Sequence, residues 1–229
     1  MRKTPRQARS RAMVERILVA GRDVLVEAGY DAFSTNRVAT AAGVSPGSLY
    51  QYFPDKTAIL DVVIDRYWEE VADRVAASLA DRIGDLGPRM IRDTADALVR
   101  ALESDRELLR VVAEELPAQR SRERRAALER RVRELTAVYL SARPESSRRP
   151  DRAASAWVIV LAAENLATRW VLDRPDFVSR ERLLDEIVAL VAGYLQSGPL
   201  LSSASDGGTS SSKGSRAGAS SDSSDGSSP

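Results

Sequence analysis

Residues 34–56 read STNRVATAAGVSPGSLYQYFPDK, and the placing of serine, glycine and proline in this stretch decides the fold. Ser34 or Thr35 offers a side-chain oxygen to the free N–H groups of a short helix that ends at Ala42. Gly43 supplies the backbone freedom that a tight turn needs. Ser45 caps a second short helix with Pro46 in its first turn, where a missing N–H costs nothing. Two short helices joined by a turn of about three to four residues containing glycine form a helix-turn-helix. That unit exists to put its second helix into the major groove, so the pattern predicts double-stranded DNA as a partner.

The flanking sequence supports the motif. From about Ser10 to Ala28, Met13, Ile17, Val24 and Ala28 share one face of an amphipathic helix that Gly29 stops. Val38, Ala42, Val44, Leu49 and Phe53 are the expected core between this helix and the motif. After Pro54-Asp55, the spacing of Leu60, Ile64, Tyr67, Trp68, Val71, Val75 and Leu79 predicts a long helix running nearly to Gly84. Residues 1–9 read as a flexible basic arm. Over residues 1–56 nine bases face five acids, a net charge of +4, whereas the whole chain of 229 residues stands at +1. A basic end on a near-neutral chain suits a phosphate-binding surface.

The run GVSPGSLYQYFPDK at 43–56 resembles the signature of the tetracycline-repressor (TetR/AcrR) family of bacterial regulators. The resemblance extends from about Arg9 to about Val71, through EAGYDAFST at 27–35 and FPDKTAILDVV at 53–63. One departure is Tyr52, where many members carry His; an aromatic ring with a hydroxyl can still pack and donate to a phosphate. The resemblance implies a second, helical domain that encloses a ligand cavity, and a homodimer formed through the last two helices. It also implies that Lys56 clamps a phosphate.

Thr35, Arg37, Ser45, Pro46, Gly47, Ser48, Tyr50, Gln51, Tyr52 and Lys56 are the expected DNA-binding residues. Ser45 and Ser48 stand where free N–H groups also favour phosphate. Gly47 lets the backbone come close to the groove. Tyr50 and Tyr52 can donate to phosphate or pack on a thymine methyl, and Gln51 can read a base edge.

Beyond the motif the chain reads as helices throughout, so the fold class is all-α. Helices are expected from Met90 to Leu109, with a break near Ser104-Asp105, and from Arg120 to Leu140, with Leu128, Val132, Leu135 and Tyr139 as a narrow apolar stripe. Glu123, Glu129 and Glu134 interleave with the arginines between Arg120 and Arg133, which predicts an ion-paired solvated face. In Ala153–Leu172 the segment from Trp157 to Ala163 is apolar on all sides, which predicts burial all round. From Ser179 to Leu195 the apolar face is too wide for one packing contact. Two such helices in succession predict a helical dimer interface. Tyr67, Trp68, Met90, Tyr139, Trp157, Glu164, Asn165 and Trp170 are the candidate effector-pocket residues: aromatic and apolar walls for a small apolar ligand, with two polar groups that could orient it.

The expected organisation is an arm at 1–9, a helix-turn-helix domain at 10–56, an effector-binding and dimerisation domain at 57–197, and a Ser/Gly-rich disordered tail at 198–229. His and Cys are absent. The usual general base, the commonest zinc ligand and any thiol chemistry go with them. No catalytic residue, metal site or cofactor is expected. No apolar run reaches the roughly 18 residues of a membrane helix and no signal peptide is visible, so a cytoplasmic location without membrane contact is expected. The sequence reads as a homodimeric regulator, a repressor that binds a pseudo-palindromic operator and is released by an effector. A regulator without an effector, an activator, and more remotely a helical enzyme stay open as alternatives.

Overall fold

The computed structural model describes residues 5–80, 87–142 and 147–197. Among them the elements are helices throughout: α1 (Pro5–Ala32), α2 (Thr35–Ala41), α3 (Pro46–Tyr50), α4 (Lys56–Ala80), α5 (Pro88–Glu103), α6 (Arg106–Arg110), α7 (Ala118–Ala142), α8 (Arg152–Asp173) and α9 (Arg180–Gln196), with one π-helical turn, Val111–Glu115, after α6. α1 begins at Pro5, so residues 5–9 of the expected arm are helical. Gly29 breaks its geometry at φ 75°, where only glycine sits without strain, and one further turn follows.

The helix starts have a common chemistry. Ser34, Ser45, Asp105, Asp151 and Ser179 each accept a hydrogen bond from a backbone N–H in the first turn of the helix that follows. Asp55 does the same for α4, accepting from the Ala58 N–H at 2.9 Å. Gly43, at φ 63°, makes the α2–α3 turn. The break expected near Ser104-Asp105 is the junction between α5 and α6. The stretch before Pro117, which has no clear periodicity, contains the π-helical turn.

One apolar core runs from Ile17 in α1 to Leu195 in α9. Val38, Ala42, Leu49 and Phe53 are buried in it as expected, with Val44 packed on its edge. α4 joins the parts: Ile59, Leu60, Val63 and Ile64 belong to the core it shares with α1, and Val71, Val75 and Leu79 continue towards α5 and α7. Polar clasps add to this. The Arg22 guanidinium donates to both carboxylate oxygens of Asp105 at 2.9 and 2.7 Å, and Arg66 pairs with Glu15. Glu115 accepts from the Tyr30 N–H at 3.0 Å and from Arg110 at 2.8 Å, which ties the end of α1 to the π-helical turn.

One expectation is corrected. In α7, Leu135 is exposed, and among the described side chains Thr136 and Leu140 are the buried ones, because the helix is turned so that this stripe faces α4 and α8. Within the single protomer α8 is buried on one side. Its buried side is Ser155, Ala156, Glu164, Ala167 and Val171, while Trp157 is 50% exposed and Leu166 38% exposed. Arg131 of α7 pairs with Asp73 of α4. The Ser/Gly-rich tail lies outside the described residues.

Candidate DNA interface and effector cavity

The α2–α3 unit is organised by short polar contacts between the expected DNA-binding residues. Ser45 Oγ accepts from the Ser48 N–H at 3.1 Å and shares a hydrogen bond of 2.9 Å with Ser48 Oγ. Thr35 Oγ1 and the Tyr50 hydroxyl are 3.1 Å apart, which links the start of α2 to the end of α3. Arg37, Pro46, Gly47, Tyr50 and Gln51 are exposed. Tyr52 is not: its ring is partly buried against the core, so its neighbour Tyr50 is the tyrosine that faces outward. The exposed Lys56 opens α4. Its Nζ donates to the Phe33 carbonyl at 3.5 Å and lies 5.8 Å from the centre of the Tyr30 ring. Together these groups form one polar surface with hydroxyl, amide and cationic donors, of the kind that binds phosphate and base edges.

The second site is a cavity of about 400 Å³, partly open, lined by residues of α4, α5, α7, α8 and α9. Of the eight expected residues, Trp68, Met90, Tyr139 and Glu164 line it. The other four do not. Tyr67 follows the helical turn away from it, towards α1 and α6, and meets Trp68 edge-on with ring centres 5.1 Å apart. Burial, and then the Asp105 carboxylate, push the Tyr67 phenol well above its ordinary pKa. Trp157 lies on the open side of α8. Asn165 is exposed and donates back to the Leu161 carbonyl at 2.8 Å. Trp170 donates to the Val178 carbonyl at 2.8 Å and carries Arg174 near its face, so it fixes the α8–α9 connection. Helical spacing places a residue on a face, and each of these four stands on a face that looks away from the void.

The sequence reading missed Thr94, Glu129, Thr136 and the aliphatic wall of Leu98, Ile187, Val191 and Leu195. The two threonines carry no signal in sequence, since a polar residue on an amphipathic helix reads as solvated. Leu98 reads as plain core, while Ile187, Val191 and Leu195 read as part of the wide apolar face expected at the dimer interface, and the structure puts them in the cavity wall instead. Among the described residues no cluster of Asp, Glu, His or Cys is placed to hold a metal, and no helix is long and apolar enough to cross a membrane.

A helix-turn-helix held against a larger helical bundle that contains an apolar cavity defines a DNA-binding regulator. Residues 17–63 match the family model of bacterial regulatory proteins of the tetR family, and residues 87–195 match that of a tetracyclin repressor-like C-terminal domain. The chain belongs to the TetR family of transcriptional regulators.

Curated relatives resemble a short part of the chain. The nucleoid occlusion factor SlmA of Actinobacillus pleuropneumoniae is 40% identical over 52 residues, which is 23% of this chain and 26% of that one. The SlmA of Glaesserella parasuis is 34% identical over 68 residues, 30% of this chain and 34% of that one. The chain thus spans about a quarter to a third of the length of these relatives. Solved structures match far more of it at low identity. The fatty acid degradation regulator FadR of Bacillus halodurans superposes with a TM-score of 0.61 at 18% identity, covering 85% of this chain and 98% of that one. A TetR-family regulator from Mesorhizobium loti gives 0.63 at 21%, covering 82% and 96%. These likenesses concern the fold.

Proposed function

We propose that this regulator is a homodimeric repressor which binds a pseudo-palindromic operator and is released by a small, largely apolar effector. The observation that carries the reading is the course of α4. It is the next helix after the recognition helix α3 and opens at Lys56, and its later turns supply Trp68, Val71, Ala72, Val75 and Leu79 to the cavity wall. A ligand that fits only a displaced α4 would shift the molecule towards a conformation with differently spaced α3 helices. The contact set is Thr35, Arg37, Ser45, Gly47, Ser48, Tyr50, Gln51 and Lys56, with Tyr52 packing behind it.

The dimer reading is supported by the open sides of α8 and α9. Trp157 and Leu166 on α8 and Leu190 on α9 remain 38 to 50% exposed in the protomer, and the half-buried Val158, Leu161 and Ala162 lie between the first two. A second copy would bury this apolar surface and place a second α3 on the matching half-site.

Sequencing DNA fragments selected by the purified protein should return a two-fold symmetric site. A reporter carrying that site should be silenced by the protein. Activation of the reporter, or selection of sites without symmetry, would contradict the reading.

A further inference from the structure

The last turn of α1 is gripped from a distant part of the chain. Gly29 turns the backbone out of helical geometry at φ 75°. The next N–H, that of Tyr30, donates to Glu115 Oε2 at 3.0 Å, across 85 positions of sequence. The fit is close, since a Cβ on Gly29 would stand 2.8 Å from the same oxygen, nearer than such atoms normally approach. Glycine is needed here both for its φ and for the approach of the carboxylate. Glu115 is itself held. Its other oxygen accepts from Arg110 at 2.8 Å. It is also the last residue of the π-helical turn, in which the Leu116 N–H donates to the Val111 carbonyl at 3.2 Å.

The turn of α1 that Glu115 holds is the one that holds Lys56. The Lys56 Nζ lies 5.8 Å from the centre of the Tyr30 ring and donates to the Phe33 carbonyl at 3.5 Å. The Phe33 N–H in turn donates to the Tyr30 carbonyl at 3.3 Å. Glu115, Tyr30, Phe33 and Lys56 thus form an unbroken series of contacts from the π-helical turn to the start of α4. A cation–π contact and a long hydrogen bond at an exposed site are each weak. The place of the ammonium group therefore depends on where the backbone of residues 30–33 stands.

We infer that Glu115 is a positioning residue for DNA binding: by holding the Tyr30 N–H it sets the end of α1, and through it the point at which Lys56 meets a phosphate. Glu115, an acid, does not itself meet the DNA. The inference rests on the reading of Lys56 as a phosphate contact.

A double-mutant cycle of Glu115→Ala and Lys56→Ala in the full chain tests it, read as affinity for the selected DNA site and for an unrelated duplex over a range of salt concentrations. Glu115→Ala leaves the Tyr30 N–H without its acceptor. It should weaken binding to both duplexes about fivefold to tenfold and lower the salt slope of the dimer by roughly one to two units, towards that of Lys56→Ala. In the Lys56→Ala background the same change should alter affinity less than about twofold. Glu115→Gln, whose amide oxygen can still accept from Tyr30, should stay within about threefold of the parent protein. If Glu115→Ala does not fold, Glu115→Asp, which draws the carboxylate back by one methylene, takes its place in the cycle. Equal losses in both Lys56 backgrounds, or an unchanged salt slope in Glu115→Ala, would make Glu115 a prop of stability alone and overturn the inference. A loss in Glu115→Gln as large as in Glu115→Ala would overturn it too. If Lys56→Ala by itself leaves the slope unchanged, the reading of Lys56 falls and this inference with it.

Discussion

Tyr67 and Trp68 are adjacent in α4, yet they serve different parts of the molecule, one at the junction with α1 and the other at the cavity. The Tyr67 hydroxyl is buried without a partner among the described residues. Tyr67→Phe should therefore leave stability unchanged or raise it by up to about 1 kcal/mol. The pH dependence has a definite sign. Tyrosine in an unfolded chain ionises near pH 10, while the folded phenol is pushed higher by burial and Asp105. The unfolded state thus loses its proton first, and stability falls as pH rises above about 10. Urea unfolding at about pH 7 and about pH 11 should show a smaller loss in Tyr67→Phe than in the parent protein. Lys56 allows a second test at this scale. Its Nζ reaches the Phe33 carbonyl only at 3.5 Å, so it stays available to a phosphate. Lys56→Ala should weaken operator and non-specific DNA alike and lower the salt slope of a dimer by roughly two units. An unchanged slope removes Lys56 from the interface.

The helices show what local chemistry can and cannot announce. The ends of α2 and α3 were legible because Ser34, Gly43, Ser45 and Pro46 act on their own backbone neighbours. The break before α6 was legible for the same reason, through Asp105. The cavity was not legible in this way. A period of 3.6 residues marks the apolar face of α4 or α8, but it does not say which residues on that face border a void. Hence Trp68 and Tyr67 could not be separated, and neither could the buried Thr136 and the exposed Leu135. The Arg22–Asp105 clasp is a contact across 83 positions, and no local pattern signals it. It joins α1 to α6, while Asp105 also caps α6. Asp105→Asn keeps the cap and weakens the ion pair, so it should cost about 1 kcal/mol in stability. It should also reduce the fold-change in operator affinity that an effector produces, which paired DNA-shift titrations with and without ligand would measure. A full effector response in this variant would mean that α4 alone carries the coupling.

At the scale of the whole molecule, the same two helices serve the inside and the outside. Val191 is 4% exposed and faces the cavity, whereas its neighbour Leu190 is 44% exposed. A charge at the two positions should therefore act differently. Val191→Glu would bury a carboxylate in the protomer's own core and cost several kcal/mol, on the order of the protomer's stability. Leu190→Glu should leave the protomer folded, abolish the proposed dimer and reduce operator affinity to that of a single half-site. Light scattering combined with thermal unfolding separates the two, and a dimeric Leu190→Glu would place the interface elsewhere. The half-exposed Trp157 also has an optical consequence. Trp68 is buried and Trp170 is tied to the Val178 carbonyl, so Trp157 is the indole whose surroundings change when a second copy arrives. With Trp68 and Trp170 replaced by phenylalanine, its emission would move to longer wavelength as the protein is diluted. The chain would then report its own state of assembly by colour, without an attached dye.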